Sequence, residues 1–412
     1  MSAELSGRSR DPRSAIDRSP GDNREIFAAS QPYRRTVAVR VTTRQGWKWI
    51  TGFVLFGLAA IVLAGFLFAW SGLYSVAASR GHWAVTNAAL TFGMQNSVRT
   101  HALGIEAPPL DSEDLSTLGA AHFHSGCAFC HGAPGVPISP IAQSMLPSPP
   151  DLSTSMREWR DRELFWIVKN GLKYTGMPAW AAQQRDDEVW AVVAFLRRLP
   201  TLDAAAYREL ALGGLTVPTQ SGSEIATTEG TSEAVSACAR CHGQNRRGPD
   251  SRLVPVLHGQ PREFLMAALE EYAHARRPSG IMQPLASDLS PEDRERVAHY
   301  YAGLSPPVPP DLPLNPESVE RGRLLATTGD TAARIPACTD CHGLSSLPVY
   351  PRLAGQHAPY IVNRLRLWKS GLTSRSSTDA IMAPIARRLT ERQIEDVAAY
   401  FSSIRAAGKA SR

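Results

Sequence analysis

The apolar positions of this 412-residue chain fall into two kinds of pattern. Ile50 to Trp70 is an unbroken run of 21 residues without a charged side chain, long enough to cross the hydrocarbon core of a bilayer as a helix. Trp47, Trp49, Trp70 and Tyr74 bracket it, as aromatic residues do at a membrane–water boundary. Beyond that run, apolar residues recur at helical spacing in short stretches, clearest over Asp187 to Leu199, Pro291 to Leu304 and Glu391 to Ile404. Trp83, Leu90, Met94 and Val98, at steps of seven, four and four, predict one more helical face before residue 114. The expected fold is therefore mainly α, with 31 prolines and 31 glycines spread through the loops between short helices. Two stretches break the pattern. Thr201 to Glu233 is polar in its second half and reads as a flexible linker, whereas Ser305 to Pro316, with its repeated prolines, reads as a stiffer extended spacer.

Charge orients the apolar run. Residues 1–49 carry nine arginines and Lys48 against five acidic residues, a balance of +5, which places this arm on the cytoplasmic side. Val76-Ala77-Ala78-Ser79 offers a peptidase-like sequence. The run nevertheless exceeds the roughly 7 to 15 residues of a signal core and follows a long, mainly polar arm, so an uncleaved signal anchor is expected. The serine, proline and arginine of the arm suggest a disordered, lipid-facing tail. Since the whole chain has a formal charge of +6, only about +1 remains for everything outside the arm, and the pI of 9.1 gives no reason to expect nucleic acid.

The chemistry lies in the cysteines. All six fall in three copies of Cys-x-x-Cys-His: Cys127, Cys130 and His131; Cys238, Cys241 and His242; Cys338, Cys341 and His342. On a helical turn, side chains three and four apart share a face, so two thiols and an imidazole converge on one object. This is the attachment pattern of haem c, with the histidine as an iron ligand. Zinc would need four ligands grouped per site, and a redox dithiol would need a βαβ setting that the pattern lacks.

A second iron ligand follows from spacing. Met282 lies 40 residues after His242, Met382 lies 40 after His342, and Met177 lies 46 after His131. Each methionine is followed 18 residues later by an aromatic in one of the periodic stretches: Phe195, Tyr300 and Tyr400. His258, His274 and His299 are weaker alternatives in the second unit. His82, His101 and Met94 are expected to pack or to sit at an interface rather than bind metal.

These motifs, methionines and closing helices resemble the class I cytochromes c over most of residues 115 to 405. The resemblance implies a proline whose carbonyl accepts the histidine's other N–H, matched here by Pro150, Pro255 and Pro351. It also implies an opening helix carrying a glycine and an aromatic. Gly119 and Phe123 match in the first unit and Gly322 in the third, while the second offers neither before Cys238. Units two and three share Leu-x-Gly-Gln and the 40-residue interval, and they resemble the tandem dihaem cytochromes c of bacterial periplasms.

The expected organisation is a basic arm (1–49), a transmembrane anchor (50–70), a membrane-proximal helical segment (71–114), cytochrome c domains at 115–200, 234–304 and 317–405, linkers at 201–233 and 305–316, and a tail (406–412). Units two and three should form a pair, with unit one placed more independently. Three covalent haems closed by methionine imply electron transfer rather than chemistry on a bound substrate. The resemblance implies a periplasmic carrier held in the bacterial inner membrane, with redox partners such as a quinol-oxidising complex or dehydrogenase and a terminal oxidase. The alternatives are the cytochrome subunit of a periplasmic alcohol or sugar-acid dehydrogenase and, from another class, a dihaem peroxidase or haem sensor.

Overall fold

The computed structural model describes residues 43–155, 158–213, 231–307, 313–343, 346–371 and 377–405. The first 42 residues of the basic arm, residues 214–230 and 308–312 of the two linkers and the tail from 406 lie outside them. The chain divides into two units, Met1–Ser75 and Val76–Arg412.

In the first unit one helix, Thr43–Trp70, begins before the charge-free run and takes in Lys48. Its 25 residues from Gly46 to Trp70 are long and apolar enough to cross a membrane, about 38 Å at 1.5 Å per residue. Trp47, Trp49, Phe53, Phe56 and Trp70 all point outward and stay exposed, so the helix has no buried face within the protein.

The second unit is built from helices, and the described residues contain only isolated β-bridges. Three domains repeat one plan of an opening helix, a Cys-x-x-Cys-His turn, a middle helix and a closing helix. The closing helices are Asp186–Arg198, Pro291–Gly303 and Glu391–Ser403. Local sequence starts each of them. Ser290 and Thr390 accept hydrogen bonds from the backbone N–H groups of Asp293 and Gln393. Asp186, Asp187 and Glu188 place negative charge where the first-turn N–H groups point.

Opening and closing helices cross at glycine. A methyl at Gly119 would sit 2.0 Å from the Ala191 carbonyl oxygen, and one at Gly322 would sit 1.9 Å from that of Asp396, so the backbones touch. Beside the first crossing, the rings of Phe123 and Phe195 pack at 5.1 Å. The second domain lacks such a glycine and solves the problem differently. Its opening helix, Thr231–His242, runs without a break into the motif. Val235 and Cys238 pack against Val297, Ala298 and Tyr301 in the smallest of the three cores.

Two expectations need correction. The segment 201–233 does not begin as a flexible linker: Ala204–Leu212 is a helix, capped by Asp203, that buries Tyr207, Ala211 and Leu212 on the first domain. Tyr207 Oη meets His124 Nδ1 at 2.9 Å, which ties this helix to the opening one. In the segment 71–114 the expected helix runs over Ala84–His101, with Val98 of its apolar face buried and Trp83 and Leu90 exposed. Its C-terminal end reaches the first domain, where His101 lies 5.6 Å from the Trp166 ring. Finally, the first domain is seated on the other two rather than placed independently. Asp114 accepts the Arg252 N–H at 2.7 Å and Arg252 Nε at 2.9 Å, and Asn363 of the third domain donates to Asp187 at 2.9 Å.

Candidate functional site

In each motif the two cysteines and the histidine lie on one helical turn. His131 N–H donates to the Cys127 carbonyl and His342 N–H to that of Cys338, both at 2.9 Å. In the second domain the same three residues form the last turn of a longer helix. The six thiols are free and half-buried. Burial pushes Cys127 and Cys238 up to about 12 and Cys338 to about 11, so these thiols are neutral. Among the described residues no three His, Cys, Asp or Glu side chains gather as a metal cluster, so the motifs have no zinc-completing partners there.

The three histidines share one contact. Nδ1 of His131 lies 2.9 Å from the Pro150 carbonyl oxygen, that of His242 3.0 Å from Pro255, and that of His342 2.8 Å from Pro351. A carbonyl can only accept, so each Nδ1 carries its hydrogen and each Nε2 keeps a lone pair free for iron. Burial lowers all three, His242 to about 4, although each proline bond opposes the shift. The rings are therefore neutral, the form that binds metal.

The second and third sets of site residues line one cavity of about 1080 Å³, with Cys238, Cys241, His242 and Met282 in one part and Cys338, Cys341, His342 and Met382 in the other. That volume exceeds the roughly 300–1,000 Å³ of an ordinary ligand pocket. Its wall is mainly apolar, yet two nearly buried arginines reach it. Arg277 Nε and Arg364 Nε and Nη2 have no hydrogen-bond partner among the described residues, with Asp379 Oδ1 3.8 Å from Arg364 Nη2 as an ion pair. A large apolar cavity, neutral imidazoles, paired thiols and guanidinium groups with nitrogens left to bond together suit an apolar macrocycle that carries carboxylates.

Each methionine is held by its own loop. Met282 opens the helix Met282–Asp288, and its N–H donates to Ser279 Oγ at 2.9 Å. Met382 lies within the helix Ser377–Arg388 and packs on the third core. Met177 N–H donates to Thr175 Oγ1 at 3.1 Å, and its carbonyl accepts from Leu172 N–H at 3.3 Å. The first set is thus fixed by two separate loops, one at Pro150 and one at Met177.

Two groups of residues that spacing did not single out bind the domains together. Gln356 Oε1 accepts the Val256 N–H at 3.0 Å, and its Nε2 donates to the Val256 carbonyl at 2.6 Å. Gln260 does the same in return, with the Arg352 N–H at 2.9 Å and the Arg352 carbonyl at 2.8 Å. Val256 and Arg352 directly follow the two prolines that hold His242 and His342. The shared Leu-x-Gly-Gln was the visible signal, but not its crosswise pairing. The other group surrounds Glu188, which is buried. It accepts from Ser279 Oγ at 2.5 Å, Gly280 N–H at 2.6 Å and Trp180 Nε1 at 3.3 Å, beside the Arg185 guanidinium at 2.9 Å.

Comparison with known proteins adds a consistent picture. A family model described as cytochrome c oxidase, cbb3-type, subunit III matches residues 115–196 and 226–300, and one described as cytochrome c matches residues 319–405. The "Thiosulfate dehydrogenase electron acceptor" of Stutzerimonas stutzeri is 31% identical over 186 residues, 44% of this chain and 86% of that one. Cytochrome c4 of Pseudomonas aeruginosa is 29% identical over 171 residues, 40% of this chain and 83% of its own. A solved structure of cytochrome c4 from Acidithiobacillus ferrooxidans, 33% identical, covers 40% of this chain and 98% of that one, with a TM-score of 0.37.

Proposed function

The chain belongs to the c-type cytochromes, and from that premise we propose that it carries three covalent haems and passes electrons along the periplasmic face of a bacterial inner membrane. The observation that carries this is the threefold recurrence of a Cys-x-x-Cys-His turn whose histidine is locked, Nδ1 to a proline carbonyl, with its other nitrogen free. In each domain the cysteines would hold the haem by thioether bonds. His131 with Met177, His242 with Met282 and His342 with Met382 would ligate iron. Haem c supplies one-electron redox chemistry when bound.

The protein's own groups do the rest. The proline carbonyls orient the imidazoles and raise their donor strength. As iron ligands, Met177, Met282 and Met382 would keep oxygen and peroxide away and raise the potential. The apolar walls of the cavity exclude water, while Arg277 and Arg364 stand ready to pair with carboxylates. Such closed sites favour transfer between proteins over catalysis on a small molecule.

The apolar helix Thr43–Trp70 supports a single-pass anchor with its basic arm in the cytoplasm, which holds the carrier beside membrane-bound partners. The preferred donors are a quinol-oxidising complex or a dehydrogenase, and the preferred acceptor is a terminal oxidase. A second possibility draws on the name of the Stutzerimonas relative: this chain accepts electrons from a periplasmic dehydrogenase, as its cytochrome subunit. Vesicles from cells lacking the chain separate the two. Loss of quinol-driven oxygen uptake, restored by the purified protein, is the expected result. Intact uptake with lost oxidation of an alcohol, a sugar acid or thiosulfate would instead place it with a dehydrogenase.

A further inference from the structure

The loop that carries Met282 is pressed against the loop that carries Met177. Trp180, three residues after Met177, is buried, and its indole occupies the space that a side chain at position 280 would need. A methyl on Gly280 would lie 2.0 Å from Trp180 Nε1 and 2.2 Å from Cε2. Gly280 precedes Met282 by two residues, and Ile281 between them packs on the first domain's core. The indole is held from several directions. His122 meets its ring edge-on at 4.7 Å, and Glu188 joins Trp180 Nε1 to Gly280 N–H and Ser279 Oγ. Ser279 Oγ in turn accepts the Met282 N–H, so one chain of contacts runs from the Met177 loop to the Met282 backbone.

Among the described residues the third domain has no such cover. Its equivalent residues, Ala380 and Ile381, are exposed. The second domain is therefore met by the first on its methionine loop and by the third at its histidine-binding proline, where Gln356 clamps Val256.

We infer that Trp180 is the residue through which the first and second iron sites are electronically coupled, so that the second site is the internal relay between the first and the third. This rests on the proposed function. One electron leaves the reduced iron of the first site and reduces the oxidised iron of the second, or the reverse; no bond is made or broken and no proton moves. The conjugated ring that fills the space beside Gly280 bridges the two loops with π orbitals that a saturated side chain of similar bulk lacks.

The test uses the full-length holo-protein with Trp180→Phe and Trp180→Leu. Three readouts are taken on the same samples: oxidised and reduced optical spectra, amide hydrogen exchange at Ser279 and Gly280, and the rate of electron equilibration between the first haem and the pair after rapid one-electron reduction. Trp180→Phe should keep most of the rate. Trp180→Leu should slow it by about tenfold, equivalent to about 1.4 kcal/mol of activation free energy, with spectra and amide protection unchanged. An unchanged rate in Trp180→Leu, or equal losses in both variants, overturns the inference. If Trp180→Leu does not fold, Trp180→Met, which fills the same space flexibly, takes its place. Spectra that lack methionine-ligated haem would instead count against the proposed function, whatever the rate.

Discussion

Gln356 and Val256 exchange two hydrogen bonds across a domain boundary, the glutamine amide accepting the valine N–H at 3.0 Å and donating to its carbonyl at 2.6 Å. Because Val256 follows Pro255, the third domain braces the carbonyl that orients His242 in the second. Gln260 braces Pro351 and His342 in the same way through Arg352. Each half of the pair thus braces the motif histidine of the other.

Crosswise bracing predicts crosswise effects. Replacing Gln356 with alanine leaves a buried N–H and carbonyl of Val256 without partners, a loss of about 1–3 kcal/mol. Denaturant unfolding should show that loss, and a redox titration should show the larger shift at the second haem, not at the third where the mutation lies. A shift confined to the third haem would contradict the bracing.

The methionines predict a spectral outcome. Met282→Ala and Met382→Ala should each leave haem attached, lower the potential of that site alone and admit exogenous ligands such as imidazole or cyanide. A variant that keeps its native spectrum and refuses such ligands would rule out that methionine.

Helix crossing predicts a stability cost. At Gly322 an added methyl meets the Asp396 carbonyl oxygen at 1.9 Å and its carbon at 2.5 Å, and neither backbone atom can swing aside. Gly322→Ala should cost about 1–3 kcal/mol of third-domain stability in denaturant unfolding. A change within about 0.5 kcal/mol, as at an ordinary surface site, would show that the helices can separate freely.

The same crossing predicts a pH dependence. Two hydrogen bonds from Arg321, at 2.8 Å each, hold the Asp396 carboxyl below the usual carboxylate range. A depressed carboxyl contributes stability above its ordinary value of 3.8 and loses it as pH falls through the lower folded value. Thermal unfolding should therefore weaken in acid, and Asp396→Asn should be less stable at neutral pH with a flatter acid limb. Parallel acid limbs for the two proteins would remove this pair from the account.

Much of this architecture was legible in sequence because the chemistry fixes spacing. Covalent attachment needs two thiols and an imidazole on one turn, and the closing helices announce themselves by periodicity and by Ser290 and Thr390 at their starts. Gly119 and Gly322 were picked out by the resemblance, and the structure shows why they are glycine: the crossing backbones leave no room for a side chain. Contacts between domains left no local pattern: Gln356 reaches Val256 across 100 positions, and nothing in Pro-Ser-Gly announces that Trp180 fills the space beside Gly280. The helix Ala204–Leu212 carried readable signals, Asp203 before it and Gly213 after it, but they were submerged in a stretch judged by its polar second half. The merging of two sets of ligands into one cavity is likewise a tertiary fact.

The central claim is that three irons are each held by one histidine and one methionine, closed to substrate and open to electrons. Optical and electron paramagnetic resonance spectra of the oxidised full-length protein, with the haem content measured by mass, test it most directly. Three haems per chain, all low-spin and all contributing a methionine-to-iron charge-transfer band, are the predicted result. Fewer than three haems, or a high-spin ferric signal from any of them, would contradict it.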